Sequence, residues 1–428
     1  VLFRSHMRDG NVPQHVDLLV IGAGLSGLAC ARRAQEEGID VLVLDAADAV
    51  GGRIRTDVID GFRLDRGFQV LLTAYDELHT QVDLDSLDLK PFKPGSTIWN
   101  GRSLETLGDP FRNPSSALAS ARARVGSLDD KLRVARLRRR LLASPAEAAF
   151  DGPERSTLEE LRAEGFSDAF IDQFFRPFLG GVFLERELET SASLFRYYFR
   201  CFAAGDVAVP AEGMQRLPEA MAAPLQGRIL LDTSARTISD GQVTLDDGST
   251  ITAGQIVLAA DANAAAKLGG STPPDFKPTI TSYYAAPSAP VAEALLVLDG
   301  EGSGPANHVG VMSNVSSAYA PAGQHLIAVS GVGEAAEDAP AFRNQAKAQL
   351  TQWFGPEVER WDHIKTYQIR HALPRHPAGF AQHRPPRRAA NGAWLAGDYT
   401  DFGAIQGALR SGRTIADSFM QHLAEAPR

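Results

Sequence analysis

Cysteine is scarce in this 428-residue chain, which has only Cys30 and Cys201. They form no C-x-x-C pair, which rules out a dithiol flavoenzyme of the glutathione-reductase kind. That usage fits a reducing cytoplasm, and both cysteines read as small buried apolar residues. Positive charge is also short. Lys and Arg number 43 against 52 Asp and Glu, a net charge of −9, which argues against general nucleic-acid binding. Long apolar runs are missing. The most apolar stretch, Val16–Ala31, is interrupted by three glycines, so nothing reads as a transmembrane span. No secretory leader is visible, and Val1–His6, before Met7, reads as a cloning scar outside the fold. Paired carboxylates and a Ser/His/Asp set are not evident. The apolar share of 44% is ordinary for a globular protein, and the length suits two or three domains.

What is present is concentrated first in Val16–Arg55. Val16–Ile21 is a short apolar run, as a buried parallel strand should be. Gly22, Gly24 and Gly27 follow as G-x-G-x-x-G. Leu25, Leu28, Ala29 and Ala34 keep helical spacing, and Gly38 is placed to stop the helix. Ile39–Leu44 is a second apolar strand closing on Asp45. Strand, glycine turn, helix, strand and an acid about 20 residues on make a dinucleotide-binding fingerprint. Gly22 permits the tight turn, and Gly24 lets the backbone approach a pyrophosphate. Gly27 lets helix and strand pack closely, and Leu25 and Ser26 open the helix whose N-terminus faces the phosphates. Asp45, with Ala46 beside it, is placed to accept hydrogen bonds from a ribose.

Gly51-Gly52-Arg53 follows after a short loop. With that addition the segment resembles the FAD-binding superfamily that includes flavin amine oxidases, protoporphyrinogen oxidase, and the phytoene and ζ-carotene desaturases. The resemblance implies that Gly51, Gly52 and Arg53 contact the FAD pyrophosphate, where a guanidinium suits phosphate. It continues along the chain. Asp65–Tyr75 resembles the desaturase segment that passes the flavin, which puts Gly67, Phe68 and Gln69 near it. FFRPFLGGVF, from Phe174 to Phe183, resembles the substrate-domain signature of protoporphyrinogen oxidases and desaturases. Phe174, Phe175, Phe178 and Phe183 are core by default, with some lining an apolar substrate cavity. Val209–Ala222 resembles the family's Pro-x-Gly-Gly-Met segment, with Glu212 in place of the first glycine. The strand matching Leu230–Ile238 implies backbone contact with the adenine near Ala235.

Near the end, Ala393–Ala416 carries a second anchor. Gly397-Asp398 matches the family's Gly-Asp, where the carboxylate meets the ribityl chain and the glycine amide meets phosphate. Ala404, Ile405 and Gln406 open a helix whose N-terminus points, in the family, at the pyrimidine edge of the flavin. Negative charge develops at that edge during reduction, and a helix dipole stabilises it. Tyr399 and Phe402 are further flavin-edge candidates. No Cys or His sits in a recognised linkage motif, so the FAD is expected to be non-covalent.

Other segments read plainly. Asp60-Gly61, Asp240-Gly241 and Asp247-Gly248 are hairpin turns, and Ile98–Arg102 is a hairpin. Gly300-x-Gly302-x-Gly304 lacks a following helix and reads as a loop. His371, His376 and His383 are split by prolines and lack metal-ligand spacing, so no metal is expected. Leu128, Leu132, Ala135 and Leu142 share one face of a helix over 128–142, and basic residues crowd the rest. Such a helix either covers the substrate domain as a solvated element or lies on an anionic membrane.

The fold class implied is α/β: a discontinuous Rossmann-like FAD-binding domain of residues 16–78, 205–270 and 365–425, plus a mixed-sheet and helical substrate domain of 79–204 and 271–364. The function implied is an FAD-dependent oxidoreductase abstracting a hydride from a C–H of a lipophilic substrate, like a desaturase or protoporphyrinogen oxidase. Amine oxidases of the superfamily place a lysine near the flavin, and the central strand of Lys277–Leu298 has none at the expected place. The alternatives are an amine oxidase releasing H2O2, a redox-neutral flavin-dependent isomerase, and a flavin-binding protein kept for partner assembly. The expected partner is an apolar small molecule, with no nucleic acid. The expected location is cytoplasmic or peripheral to a membrane.

Overall fold

The apolar runs at Val16–Ile21 and Ile39–Leu44 become strands His15–Ile21 and Val41–Leu44 of the computed structural model, which describes residues 13–382, 384 and 386–425. The expected cloning scar and His383 lie outside the described residues. The two strands pair in parallel, with Val20 opposite Val43. Leu18–Ile21 and Val41–Leu44 are all buried, as strands covered on both faces must be. Helix Leu25–Glu36 crosses between them, and Gly38 follows it at φ +79°.

Among the described residues the chain builds two seven-stranded sheets. The nucleotide sheet runs Ile229–Leu230, Val41–Leu44, His15–Ile21, Thr250–Leu258, Gln242–Leu245, Ala235–Ser239, with Trp394–Leu395 parallel to the end of Thr250–Leu258. The strand expected over Leu230–Ile238 is therefore two, Ile229–Leu230 and Ala235–Ser239, with a turn through Asp232 at φ +51°. The second sheet runs Asp362–Pro374, Phe276–Ala286, His325–Val332, His308–Val311, Leu296–Asp299, Gly95–Trp99, Leu104–Gly108. Only the pair Leu296–Asp299 with Gly95–Trp99 is parallel in it. Residue 365 falls inside strand Asp362–Pro374, which pairs along Phe276–Ala286.

The hairpins form where Asp-Gly marks them. Asp60 and Gly61 take φ +48° and +82° between Thr56–Ile59 and Phe62–Asp65, and Asp240 and Gly241 take +51° and +74°. Gly300–Gly304 is a loop between two strands of the second sheet.

The helix expected over 128–142 forms as Leu128–Leu142. Its buried side chains are Asp130, Leu137 and Leu141, while Leu128 is 62% exposed and Leu132 49%. Ser127 and Asp130 form a capping box, and Asp130 also accepts from Ser167 N at 2.8 Å. That tie turns Leu137 and Leu141 into the core and leaves Leu128, Leu132 and Ala135 on a cavity rim. Helical spacing states which residues share a face, not which face meets the core.

Asp65 fastens the two sheets' connecting segments. It is buried, accepts Thr56 Oγ1 at 2.6 Å and Met214 N at 2.9 Å, and accepts Tyr319 Oη at 2.8 Å. Burial pushes its carboxyl from 3.8 up to about 6 despite those three donors. The folded chain thus holds this proton more tightly than the unfolded chain does. Its contribution falls as pH rises from about 4 to about 6, by about 3 kcal/mol, and is flat above that window. Asp65→Asn is expected to remove this slope. Melting temperature against pH for both chains checks it, and an unchanged slope in the variant contradicts it.

Candidate active site

The glycine turn is built by close approach. Gly22 sits at φ +114°, and a Cβ there would lie 2.5 Å from the Ala259 carbonyl oxygen. One on Gly27 would lie 1.9 Å from Gly22 O, so helix and turn touch backbone to backbone. Gly24 differs: a Cβ there meets nothing within 4 Å, and the residue lines a large cavity. Gly24 also caps helix Leu25–Glu36 without any side-chain cap, so the first-turn N–H groups are left for another acceptor.

Asp45 is pinned from both sides. Its Oδ2 accepts Ala23 N at 2.6 Å and its Oδ1 accepts Ala47 N at 2.8 Å. Each oxygen keeps lone pairs for ribose hydroxyls. Thr233 N donates to Asp45 O at 2.9 Å, which brings Ala235 to the same wall. Arg53 reaches across the chain. Its Nη2 donates to Asp398 Oδ1 at 2.5 Å and its Nη1 to Ala372 O at 2.7 Å. The two motifs, 345 residues apart, therefore meet through one ion pair. Helix Ile405–Glu425 lies against helix Leu25–Glu36, where a Cβ on Gly412 would lie 2.0 Å from Ser26 O.

These segments enclose a cavity of about 1060 Å³ whose walls fall into two sets. One set is Gly22, Gly24, Leu25, Ser26, Asp45, Ala46, Gly51, Gly52, Arg53, Ala235, Gly397, Asp398, Ala404 and Ile405. The other includes Phe170, Phe174, Phe178, Phe202, Leu296 and Leu298. Phe68, Gln69 and Tyr399 also line it. Gln69 Nε2 donates to Arg53 O at 2.8 Å and Arg66 O at 3.2 Å. Among the described residues Gln69 Oε1 and Tyr399 Oη are buried with no partner. A dinucleotide fits this wall: an open glycine cradle, an uncapped helix N-terminus, a fixed carboxylate and orphaned polar atoms.

Four of the expected site residues do not line the cavity. Phe402 is fully buried among Tyr197, Tyr198 and Phe150, with ring centroids 5.1, 6.2 and 5.9 Å away. It is core, not a flavin-edge aromatic. Gln406 turns away from the cavity, and its Oε1 accepts Glu77 N at 3.0 Å. Gly67 packs under strand Asp362–Pro374, where a Cβ would lie 2.9 Å from Ile369 Cδ1. Gly27 is internal, as its packing role requires. His376 Nε2 accepts Gly403 N at 2.9 Å and thereby shapes the loop before the last helix.

The phenylalanine run divides by geometry. Ile171–Phe175 is π-helical and runs on into helix Arg176–Phe183. Phe174 and Phe178 stack at 5.4 Å and face the cavity, while Phe175 and Phe183 are buried in the core. A π turn shifts the face by one residue, and helical spacing alone does not reveal that. His308, on the second sheet, also lines the cavity. No motif marks it, because only the strand pairing brings it there.

A glycine-cradled helix N-terminus, a fixed acid and a distant Gly-Asp pair on one cavity form a dinucleotide site, and the family the chain matches is one of FAD-dependent oxidoreductases. The model of the family described as flavin containing amine oxidoreductase matches residues 25–419. The chain belongs to that family. It is 26% identical over 163 residues to protoporphyrinogen oxidase 2, chloroplastic/mitochondrial, of Arabidopsis thaliana, a match covering 38% of this chain and 32% of that protein. It is 32% identical over 90 residues to phytoene desaturase of Fusarium fujikuroi, covering 20% of this chain and 16% of that protein. The chain thus matches about a third or less of the length of these curated relatives. Wild-type putrescine oxidase bound to putrescine has the same fold, with a TM-score of 0.70, 18% identity, and coverage of 96% of this chain and 100% of that one.

Proposed function

We propose that the chain removes a hydride from a C–H bond of a lipophilic small molecule, in the manner of the desaturases and protoporphyrinogen oxidases. The observation that carries this reading is the chemistry of the second cavity wall. Phe174, Phe178 and Phe202 offer aromatic surface that excludes water. The lysine of strand Phe276–Ala286 is engaged elsewhere. Lys277 Nζ donates to Thr190 Oγ1 at 2.6 Å and lies 3.5 Å from Glu185 Oε1. An amine substrate thus meets no lysine from that strand. FAD, when bound, supplies the hydride acceptor. Gly22, Gly24, Asp45, Gly52, Arg53 and Asp398 would hold it. Ala404 and Ile405, at the start of the last helix, place a positive dipole end on the cavity wall, where developing negative charge is stabilised. On this reading the FAD-binding domain comprises 16–78, 205–270 and 365–425, and residues 79–204 and 271–364 form the substrate domain.

Anaerobic mixing of the FAD-loaded chain with phytoene, protoporphyrinogen and a panel of amines tests the reaction. Loss of flavin absorbance at about 450 nm with a lipophilic donor is expected. Bleaching by amines alone, with H2O2 released in air, contradicts it.

The cavity rim supports a membrane source for such a substrate. Phe111 is 57% exposed and lines the cavity with Leu128 and Leu132, and Leu118 of the preceding helix is 62% exposed. Arg122, Arg124, Arg136 and Arg139 are exposed on the same segment. Exposed apolar side chains on a segment that also carries exposed cations suit an anionic bilayer surface. No helix among the described residues is long and apolar enough to cross a membrane. Flotation with phosphatidylglycerol vesicles is expected to carry the chain, and Leu128→Asp with Leu132→Asp to reduce the bound fraction about tenfold. Equal flotation of variant and parent contradicts this contact. The two thiols, Cys30 and Cys201, are buried and pushed up to about 12 by burial, so both are protonated and unreactive at neutral pH.

A further inference from the structure

Cations line the cavity as well as aromatics: Lys93, Arg112, Lys131 and Arg138. Two of them are already matched by acids. Lys93 pairs with Glu293, and Arg112 with Asp206. The other two stand seven residues apart on helix Leu128–Leu142, two turns, so they share the face that carries Leu128, Leu132 and Ala135 to the rim. Lys131 is half-buried, and its Nζ donates to two backbone carbonyls, Ala123 O at 2.7 Å and Ala121 O at 3.4 Å. Among the described residues no carboxylate pairs with it, and an ammonium has a third N–H to give. Burial holds its pKa below the usual 10.5, although Glu105 and Asp130 pull the other way. A partly desolvated cation without a counter-ion is costly. Arg138 is only loosely matched. Asp109 Oδ2 stays 3.9 Å from its Nε, its Nη2 donates to Ala203 O at 3.0 Å, and its guanidinium lies over the Phe111 ring at 4.8 Å.

We propose that Lys131 is the specificity-determining counter-ion of the cavity, selecting an apolar substrate that ends in a carboxylate. Arg138, on the same helix face, adds a second positive charge. The carboxylate stays at the rim, where the ammonium gives it a charge-assisted hydrogen bond. The apolar body runs inward along Phe174 and Phe178. The C–H bond oxidised therefore lies in the apolar body, away from the charged end. An uncharged analogue leaves the ammonium without its counter-ion and is held less tightly. The inference rests on the proposed lipophilic substrate and adds that this substrate is an acid, not a neutral hydrocarbon. An anionic lipid headgroup offers the same ammonium a phosphate, so the test separates the two sources.

The test uses the FAD-loaded chain, free of lipid, and two probes of one skeleton, dodecanoate and dodecan-1-ol, below their micelle concentrations and followed by equilibrium dialysis. Lys131→Met is expected to weaken dodecanoate binding about tenfold and to leave dodecan-1-ol binding unchanged. Lys131→Arg, which keeps the charge, is expected to retain most of the dodecanoate affinity. Dodecanoate binding by the parent is expected to weaken as salt rises from about 50 mM to about 500 mM, while the alcohol is indifferent. No dodecanoate binding by the parent, equal dodecanoate affinity in parent and Lys131→Met, or an equal loss of both probes in the variant overturns the proposal. Flotation with phosphatidylglycerol vesicles is expected to be the same for parent and Lys131→Met. Flotation lost in the variant while dodecanoate binding persists gives Lys131 to the headgroups and overturns the proposal too. A chain that holds dodecanoate through Lys131 yet is never bleached anaerobically by a lipophilic C–H donor upholds the counter-ion and overturns the proposed reaction.

Discussion

Gly24→Ala is expected to leave the fold standing and to weaken FAD binding more than 100-fold, on the order of 3 kcal/mol. Gly24 has φ −73° and ψ 176°, a conformation open to alanine. A methyl there meets no protein atom within 4 Å. It projects from the helix cap at the point where a pyrophosphate must approach the backbone. Alanine also lowers the entropy of the unfolded chain, so the apo melting temperature should stay level or rise slightly. Apo melting and FAD titration by fluorescence quenching together check this. A fall in apo stability, or FAD affinity equal to the parent's, contradicts the assignment.

Gly412→Val is expected to do the reverse and damage the fold itself. A Cβ at Gly412 would lie 2.0 Å from Ser26 O and 2.9 Å from Ala29 Cβ. The nearest atom is backbone, fixed in the first turn of helix Leu25–Glu36, so it cannot swing aside. Helix Ile405–Glu425 must shift away, and with it Ala404 and Ile405. A loss of about 3 kcal/mol or more is expected, with a fall in melting temperature of about 3 °C or more and no FAD retained on purification. Calorimetry of the apo chain checks it, and a melting temperature within about 1 °C of the parent contradicts it. The pair separates two uses of glycine: one leaves room for a ligand, the other for a helix.

The same distinction explains what was legible in the sequence. The βαβ unit was legible because its signals are local: apolar strands, glycine spacing and a terminal acid. The hairpins at Asp60-Gly61 and Asp240-Gly241 were legible because the turn dictates the residue. The joining of Gly-Gly-Arg to Gly-Asp was legible only through the family resemblance, and the structure realises it as the Arg53–Asp398 pair. Side-chain direction was not legible. Phe402 and Gln406 stand in a cavity-forming segment, yet their side chains enter the aromatic core and the Glu77 backbone. Leu128 and Leu132 share a helical face, but the Asp130–Ser167 tie decides that this face looks outward. The division of Phe174 from Phe175 depends on a π turn. His308 is placed by strand pairing with distant residues, which no local pattern encodes.

A crystal structure of the FAD-loaded chain tests the central claim most directly. The diphosphate is expected against Gly24 and Gly52, the ribityl chain beside Asp398, and the flavin ring between Phe68 and the helix start at Ala404. Density that places the diphosphate away from Gly24, or the ring away from Ala404, contradicts the joining of these two distant segments around one cofactor.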